Sequence, residues 1–166
     1  MLTNEDAKYL LELDKSLKDP NQIIDLSVKK NRLELVSNED SECDFWMEIT
    51  SNHKIILKTS IHLLESINFN GLLRIDFKGG HKNPEEIIPT VPEYLRSYMG
   101  LWINIDEPHL HVYVEGYRPL AWAIPLKYTN FQIKELNNIT DLSDLITNFA
   151  KEINLSSRLN IQQSIF

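Results

Sequence analysis

Cysteine is nearly absent from this 166-residue chain, with Cys43 as its one thiol. That excludes an internal disulfide and any thiolate metal cluster. Long apolar runs are missing too: none approaches the roughly 18 residues that a membrane-spanning helix needs. The opening Met1-Leu2-Thr3-Asn4-Glu5-Asp6 has no basic stretch of the kind that begins a secretory leader. A cytoplasmic protein is the expectation. Positive charge is scarce, 17 Lys and Arg against 24 Asp and Glu, for a net charge of −7. Most of the excess lies in residues 1–50, which hold twelve acidic and six basic side chains. A non-specific nucleic-acid binder needs Lys and Arg to neutralise phosphates, so the composition argues against a DNA-binding module. It leaves open a negative surface offered to a basic partner. No Gly-rich phosphate loop and no serine in a nucleophile elbow is found, which disfavours nucleotide-cofactor enzymes and serine hydrolases. No cofactor is expected. Cys43, between Glu42 and Asp44, is a poor nucleophile because its neighbours raise the thiol pKa.

What is present suits one domain with an ordinary core. Hydrophobic residues make up 42% and charged residues 25% of the chain, and a fold of this size hides about 70% of the unfolded surface. Tyr9, Leu10, Leu13 and Leu17 recur at helical spacing behind Asn4 as cap, and Asp19-Pro20-Asn21 ends that helix. From Gln22 the period becomes two. Ile24, Leu26 and Val28 predict a strand, and Leu33 with Leu35 its hairpin partner. Further strands are predicted at 44–50, 54–64, 72–78, 109–114 and 121–126, with a turn at Ser51-Asn52-His53. A closing helix opens at Asp141 and buries Leu142, Leu145, Ile146, Phe149 and Ile153, followed by an irregular tail. The expected class is α+β: an antiparallel sheet with an N-terminal and a C-terminal helix on one face. Residues 1–166 form a single domain, with an acidic helix and hairpin at 1–43 and a core at 44–166.

All five glycines lie between Gly71 and Gly116, and six of the seven prolines between Pro84 and Pro125. This middle stretch is where chemistry is expected, since long ordered loops often carry it. In Leu72-Leu73-Arg74-Ile75-Asp76-Phe77-Lys78, strand alternation turns Leu73, Ile75 and Phe77 to the core and Arg74, Asp76 and Lys78 away from it. The same rule puts Leu110, Val112 and Val114 inward and His109, His111, Tyr113 and Glu115 on the polar face. His81 arrives from the Gly79-Gly80 turn. If the two strands are neighbours, one surface gathers Arg74, Asp76, His81, His109, His111, Tyr113 and Glu115.

Two imidazoles can serve as general base and acid, Arg74 can stabilise a phosphorane-like transition state, and Tyr113 can donate a hydrogen bond to it. Such metal-free cleavage uses the 2′-hydroxyl of RNA as its nucleophile. An active imidazole must reach substrate, so His109 and His111 are expected to be partly solvent-accessible and to tolerate Ala with little loss of stability. The bland alternative is a wet sheet face, polar by default and held by cross-strand pairs such as Arg74 with Glu115. The i, i+2 spacing of His109 and His111, completed by His81 or Asp76, could also hold a metal, but it is not specific and no metal is assigned. His53 and His62, isolated in sequence, are expected to be structural.

The motifs Leu72-Leu73-Arg74-Ile75-Asp76, Gly80-His81-Lys82-Asn83-Pro84, His109-Leu110-His111-Val112-Tyr113, Glu115-Gly116-Tyr117 and Trp122-Ala123-Ile124-Pro125-Leu126 occur in this order. As a set they resemble a small uncharacterised bacterial family of low-GC Gram-positive genomes and mobile elements. The resemblance extends to Phe45-Trp46, the closing helix and Asn160-Ile161-Gln162, covering roughly residues 44–166. It departs at Lys78-Gly79-Gly80, where the family has Gly-Pro-Pro, and at Val114, where it commonly has Arg. It implies a mobile-element setting, such as a toxin, a defence component or a phage counter-defence protein. The resemblance supplies no mechanism; the residues themselves suggest two functions, the imidazole cluster the first and the acidic composition the second. One is a metal-independent endoribonuclease-like protein acting on RNA. The other is a non-enzymatic acidic inhibitor, anti-CRISPR-like, whose partner is a basic macromolecule such as a nucleic-acid-guided effector.

Overall fold

Alternation of apolar and polar side chains dictates most of this fold. A computed structural model describes residues 2–52 and 58–163. In chain order the elements are α1 (Asn4–Glu12), β1 (Lys15–Leu17), β2 (Ile23–Asp25), β3 (Lys30–Ser37), β4 (Asp44–Asn52), β5 (Lys58–Glu65), β6 (Gly71–Phe77) and β7 (His81–Lys82). Then come α2 (Glu93–Arg96), β8 (Trp102–Ile103), β9 (His109–Val112), β10 (Trp122–Pro125), α3 (Ile139–Glu152) and β11 (Asn160–Gln162). Seven strands form one antiparallel sheet in the order β1-β3-β4-β5-β6-β9-β10.

The inward residues of β3–β6 are those the period of two selects. Leu33, Leu35, Phe45, Met47, Ile49, Ile61, Leu63, Leu73, Ile75 and Phe77 are buried together with Leu142, Leu145, Ile146 and Phe149 of α3. Fully burying such side chains contributes about 1.5–3 kcal/mol each, and this cluster is the main core. A smaller cluster around Trp122 joins Val91, Leu95 of α2, Val114, Ala121 and Ile124. Asn138 caps α3, its side chain accepting from the amides of Thr140 and Asp141 while the Asp141 carboxylate answers the cap amide.

The expected α+β class is not what the chain adopts. A helix does stand at each end, but α1, α2 and α3 have only 9, 4 and 14 residues beside a seven-stranded sheet, so the fold is largely β. The first helix is also shorter than expected. It starts at Thr3, whose hydroxyl forms a capping box with Asp6, and it ends at Glu12 rather than running on to Asp19. Beyond it Leu13, Lys15 and Leu17 are buried at alternate positions, which is strand alternation with a lysine in an inward place. Lys15 Nζ donates to the carbonyls of Leu11, Leu13 and Ile153 at 2.8–3.0 Å. Its charge thus meets the negative ends of α1 and α3. Burial pushes the Lys15 ammonium down to about 8.

The expected hairpin between 24–28 and 33–35 does not form either. Strand β3 pairs with β1, while β2 pairs in parallel with β11, so the tail is a short strand and not irregular. The predicted turn at 51–53 and the start of the next strand at 54–57 lie outside the described residues in part; β4 continues to Asn52 and β5 begins at Lys58. No helix among the described residues is long and apolar enough to cross a membrane.

Candidate functional site

Register brings the polar residues of the middle strands together. Glu65 closes the β5–β6 turn, its carboxylate accepting from the amides of Ile67, Asn68 and Asn70 at 2.8–3.0 Å. This hairpin sets His62 opposite Arg74, and β9 then sets His111 opposite Arg74 and His109 opposite Asp76. Arg74, Asp76, His109 and His111 therefore share one face, as alternation predicts. His81 reaches the same place after the Gly79-Gly80 turn. Its ring centroid lies 4.5 Å from that of His111 and 5.9 Å from that of His109.

Backbone carbonyls fix each imidazole. His81 Nε2 donates to Ala121 O at 3.0 Å, His109 Nδ1 to Glu107 O at 3.0 Å, and His111 Nδ1 to Leu120 O at 2.9 Å. A carbonyl only accepts, so these nitrogens carry the hydrogens, and the opposite nitrogen of each neutral ring keeps a lone pair. Leu120 holds its carbonyl there from a left-handed conformation, φ 59°, which is strained for a leucine. Across from it, a Cβ on Gly71 would lie 2.6 Å from Leu120 Cδ1 and 2.7 Å from His62 Nε2, so only glycine fits. Asn83 locks the segment to the edge of the sheet. Its Nδ2 donates to Ala123 O, and its Oδ1 accepts from Ala123 N, both at 2.8 Å, so the amide acts as one more strand residue beside β10.

The remaining nitrogens face charge. His111 Nε2 lies 2.9 Å from Arg74 Nη2 and 3.0 Å from Asp76 Oδ2. Arg74 also pairs with Asp76 through Nε at 3.1 Å and Nη2 at 3.0 Å. Burial opposes ionisation of Asp76, but the Arg74 charge beside it outweighs the burial and holds the carboxyl well below its ordinary range. Burial, seconded by neighbouring positive charge, pushes His62 and His81 down to about 4 and also lowers His109. Among the described residues, four buried side-chain atoms have no hydrogen-bond partner: His62 Nε2, Asp76 Oδ1 and His109 Nε2 in this cluster, and Trp122 Nε1 beside it.

Two predicted members stand elsewhere. Strand β9 ends at Val112, and the alternation ends with it. Tyr113 packs in the main core and donates to Leu2 O at 2.6 Å, while the Glu115 amide and carboxylate bond to Asn4. Asn4 is thus not the cap of α1 but a tie between α1 and residue 115. The expected Arg74–Glu115 pair is replaced by Arg74–Asp76. His109 and His111 are both 0% exposed, against the expectation of partial access. His62 and Asn83 belong with the cluster although neither was among the predicted site residues. Reflection about the Asn68 turn was the signal for His62, since it makes residues 62 and 74 partners. His53 lies outside the described residues.

Access to the cluster is through Arg74 and Asp76, whose side chains are 32% and 17% exposed. Both line a cavity of about 390 Å³ with Lys29, Thr50, Lys58 and Ser60. Three cationic side chains on one small cavity suit an anion. Asp76, His109 and His111 also offer ligand atoms within 4.8 Å of one another, close enough for one metal ion.

No curated protein and no solved structure matches the chain. A family model does, over residues 2–155, which takes in the acidic N-terminal segment as well as the imidazole cluster. The chain belongs to DUF6978, a family of unknown function.

Proposed function

We propose that the protein cleaves a phosphodiester, with RNA as the substrate class, at the cavity walled by Arg74 and Asp76. One observation carries the reading: His111 Nε2 sits 2.9 Å from a guanidinium nitrogen and 3.0 Å from a carboxylate oxygen beside a cavity that also presents Lys29 and Lys58. A phosphate entering the cavity competes for Arg74 and draws it off the imidazole. His111 Nε2 then faces the substrate and takes the proton of the 2′-hydroxyl, while Asp76 holds the imidazolium. The 2′ oxygen attacks phosphorus and the 5′ oxygen leaves with a proton from solvent. Arg74 and the lysines carry the charge of the transition state. Relative to the sequence expectation, Tyr113 and Glu115 drop out, and His81 and His109 become positioning residues. A toxin or defence component of a mobile element is the setting this activity suits.

The test is cleavage of a single-stranded RNA by purified protein. Arg74→Ala and Asp76→Asn, confirmed folded by circular dichroism, are expected to lower the rate by roughly a hundredfold or more. Wild-type protein without activity on RNA, or both variants as active as wild type, overturns the reading.

A second reading, a non-enzymatic inhibitor of a basic partner, has its own support. Glu39, Glu42 and Asp44 are exposed around the β3–β4 turn, with Asp40 half-buried between them. Reversing these charges is expected to slow association with such a partner and to remove its salt dependence. Binding unaffected by both overturns it.

A further inference from the structure

We infer that Asp76, His109 and His111 form a binding site for one divalent transition-metal ion, of which Zn²⁺ is the natural probe, and that Arg74 occupies the place of that ion in its absence. The donor set is right in kind: two imidazoles and a carboxylate are borderline ligands that suit zinc and its neighbours rather than magnesium or calcium. The distances are right as well. Metal–ligand bonds of 2.0–2.1 Å at tetrahedral angles put donor atoms about 3.3 Å apart. Asp76 Oδ2 lies 3.0 Å from His111 Nε2 and 3.8 Å from His109 Nε2, on either side of that value. Each imidazole donates its other nitrogen to a backbone carbonyl, the second-layer bond that turns a ring lone pair toward a metal.

The independent observation is His109. It is fully buried, and its Nε2 has no hydrogen-bond partner among the described residues although it points at Asp76. An orphaned buried acceptor costs free energy unless something binds it. Solvation of a wet sheet face does not explain it, because the ring is not wet. Arg74 satisfies His111 Nε2 and Asp76 Oδ2 but leaves the His109 nitrogen bare, whereas a metal ion would satisfy all three atoms. With its side chain 32% exposed, Arg74 is free to swing into the cavity and yield the place.

The site shares Asp76 and His111 with the proposed reaction, and its consequence rests on that reading. A metal on His111 Nε2 takes the nitrogen that accepts the 2′-hydroxyl proton, so the loaded protein is silent and removal of the metal restores cleavage.

Calorimetric titration of the whole chain with Zn²⁺, in parallel with RNA cleavage, tests both. Expected are one ion per chain, affinity about a hundredfold weaker in Asp76→Asn and in His109→Gln, and tighter binding in Arg74→Gln, where the competing cation is gone. The gain in Arg74→Gln keeps the test sound if His109→Gln fails to fold. Absence of binding in both wild type and Arg74→Gln overturns the site, as does binding unchanged by Asp76→Asn. Stoichiometric binding without cleavage by the metal-free protein leaves the site standing and overturns the reaction. Cleavage that rises with Zn²⁺ keeps the site and removes His111 as the base.

Discussion

One polar row crosses the sheet and changes character along its length. Arg32, Glu48, His62, Arg74 and His111 are successive cross-strand partners on β3, β4, β5, β6 and β9. At the β3–β4 end the cations Arg32 and Lys30 lie in water, and Glu48 between them keeps about a fifth of its surface exposed. Arg32 pairs with Glu48 at 3.4 Å and covers the Trp46 ring, and Lys30 reaches the same carboxylate. At the β9 end His111 is sealed beneath His81, Leu120 and Arg74. The two ends obey the same alternation, yet desolvation separates them: an exposed ion pair gains little over its hydrated partners, whereas each buried group must find a partner or cost free energy. Functional chemistry is expected where the row goes dry, because electrostatic interactions are strongest there.

Truncating the dry end should have the largest effect. His111→Ala removes a fully buried ring, leaves Leu120 O without its donor, and takes from Arg74 the acceptor of its Nη2. A loss on the order of 2–4 kcal/mol is expected in denaturant unfolding. A change below about 0.5 kcal/mol would show that the two ends do not differ in kind, which is what a solvent-accessible His111 would have produced.

Acid should separate the ends next. His62 and His81 are lowered to about 4, and His109 is lowered too, against about 6.5 unfolded. Between pH 6.5 and 4 the unfolded chain binds more protons than the folded one, so these groups stabilise the fold above pH 6.5 and lose that contribution as pH falls toward 4. Asp76, depressed by its partners, adds a further loss below its ordinary range. A drop on the order of 1–2 kcal/mol is expected for His62 and His81 after allowing for their partial exposure. Thermal melts across this range should show it, with a flatter profile in His62→Gln. A melting temperature constant from pH 7 to 4 would contradict the burial of these rings.

How much of this could be read from the sequence depends on what each residue's neighbours are. That Arg74, Asp76, His109 and His111 share a face follows from alternation once β6 and β9 pair, whereas their partners are set by the register. His62 needs the hairpin register as well, which Glu65 sets through turn amides and not through any pattern of apolar residues. Lys15 hid a strand: an ammonium in an inward position breaks the apolar alternation, and the carbonyls that satisfy it come from the end of α1 just before it and, at Ile153, from the end of α3, remote in sequence. Tyr113 and Glu115 were misplaced because a period of two holds only while the strand lasts, and β9 ends at Val112. The accessibility of the imidazoles was the largest misreading. Polar residues on a sheet face predict solvent, but His81 and Leu120 come from two segments whose paths only tertiary structure decides.

The smallest effect belongs to the wet end. In Glu48→Gln the ion pairs with Arg32 and Lys30 disappear, but the partners are exposed and remain hydrated, and Glu48 itself is about a fifth exposed. Unfolding free energy is expected to change by less than about 0.5 kcal/mol, and by less still at 1 M salt, where the screening length is about 3 Å. Arg32→Ala loses slightly more, because its guanidinium also stacks 3.8 Å from the Trp46 ring centroid, a contact salt does not screen in the same way. The decisive comparison is therefore between salts. If Glu48→Gln costs as much as His111→Ala and the cost survives high salt, the β4 carboxylate is held in a dry environment, and the contrast between the two ends of the row is lost.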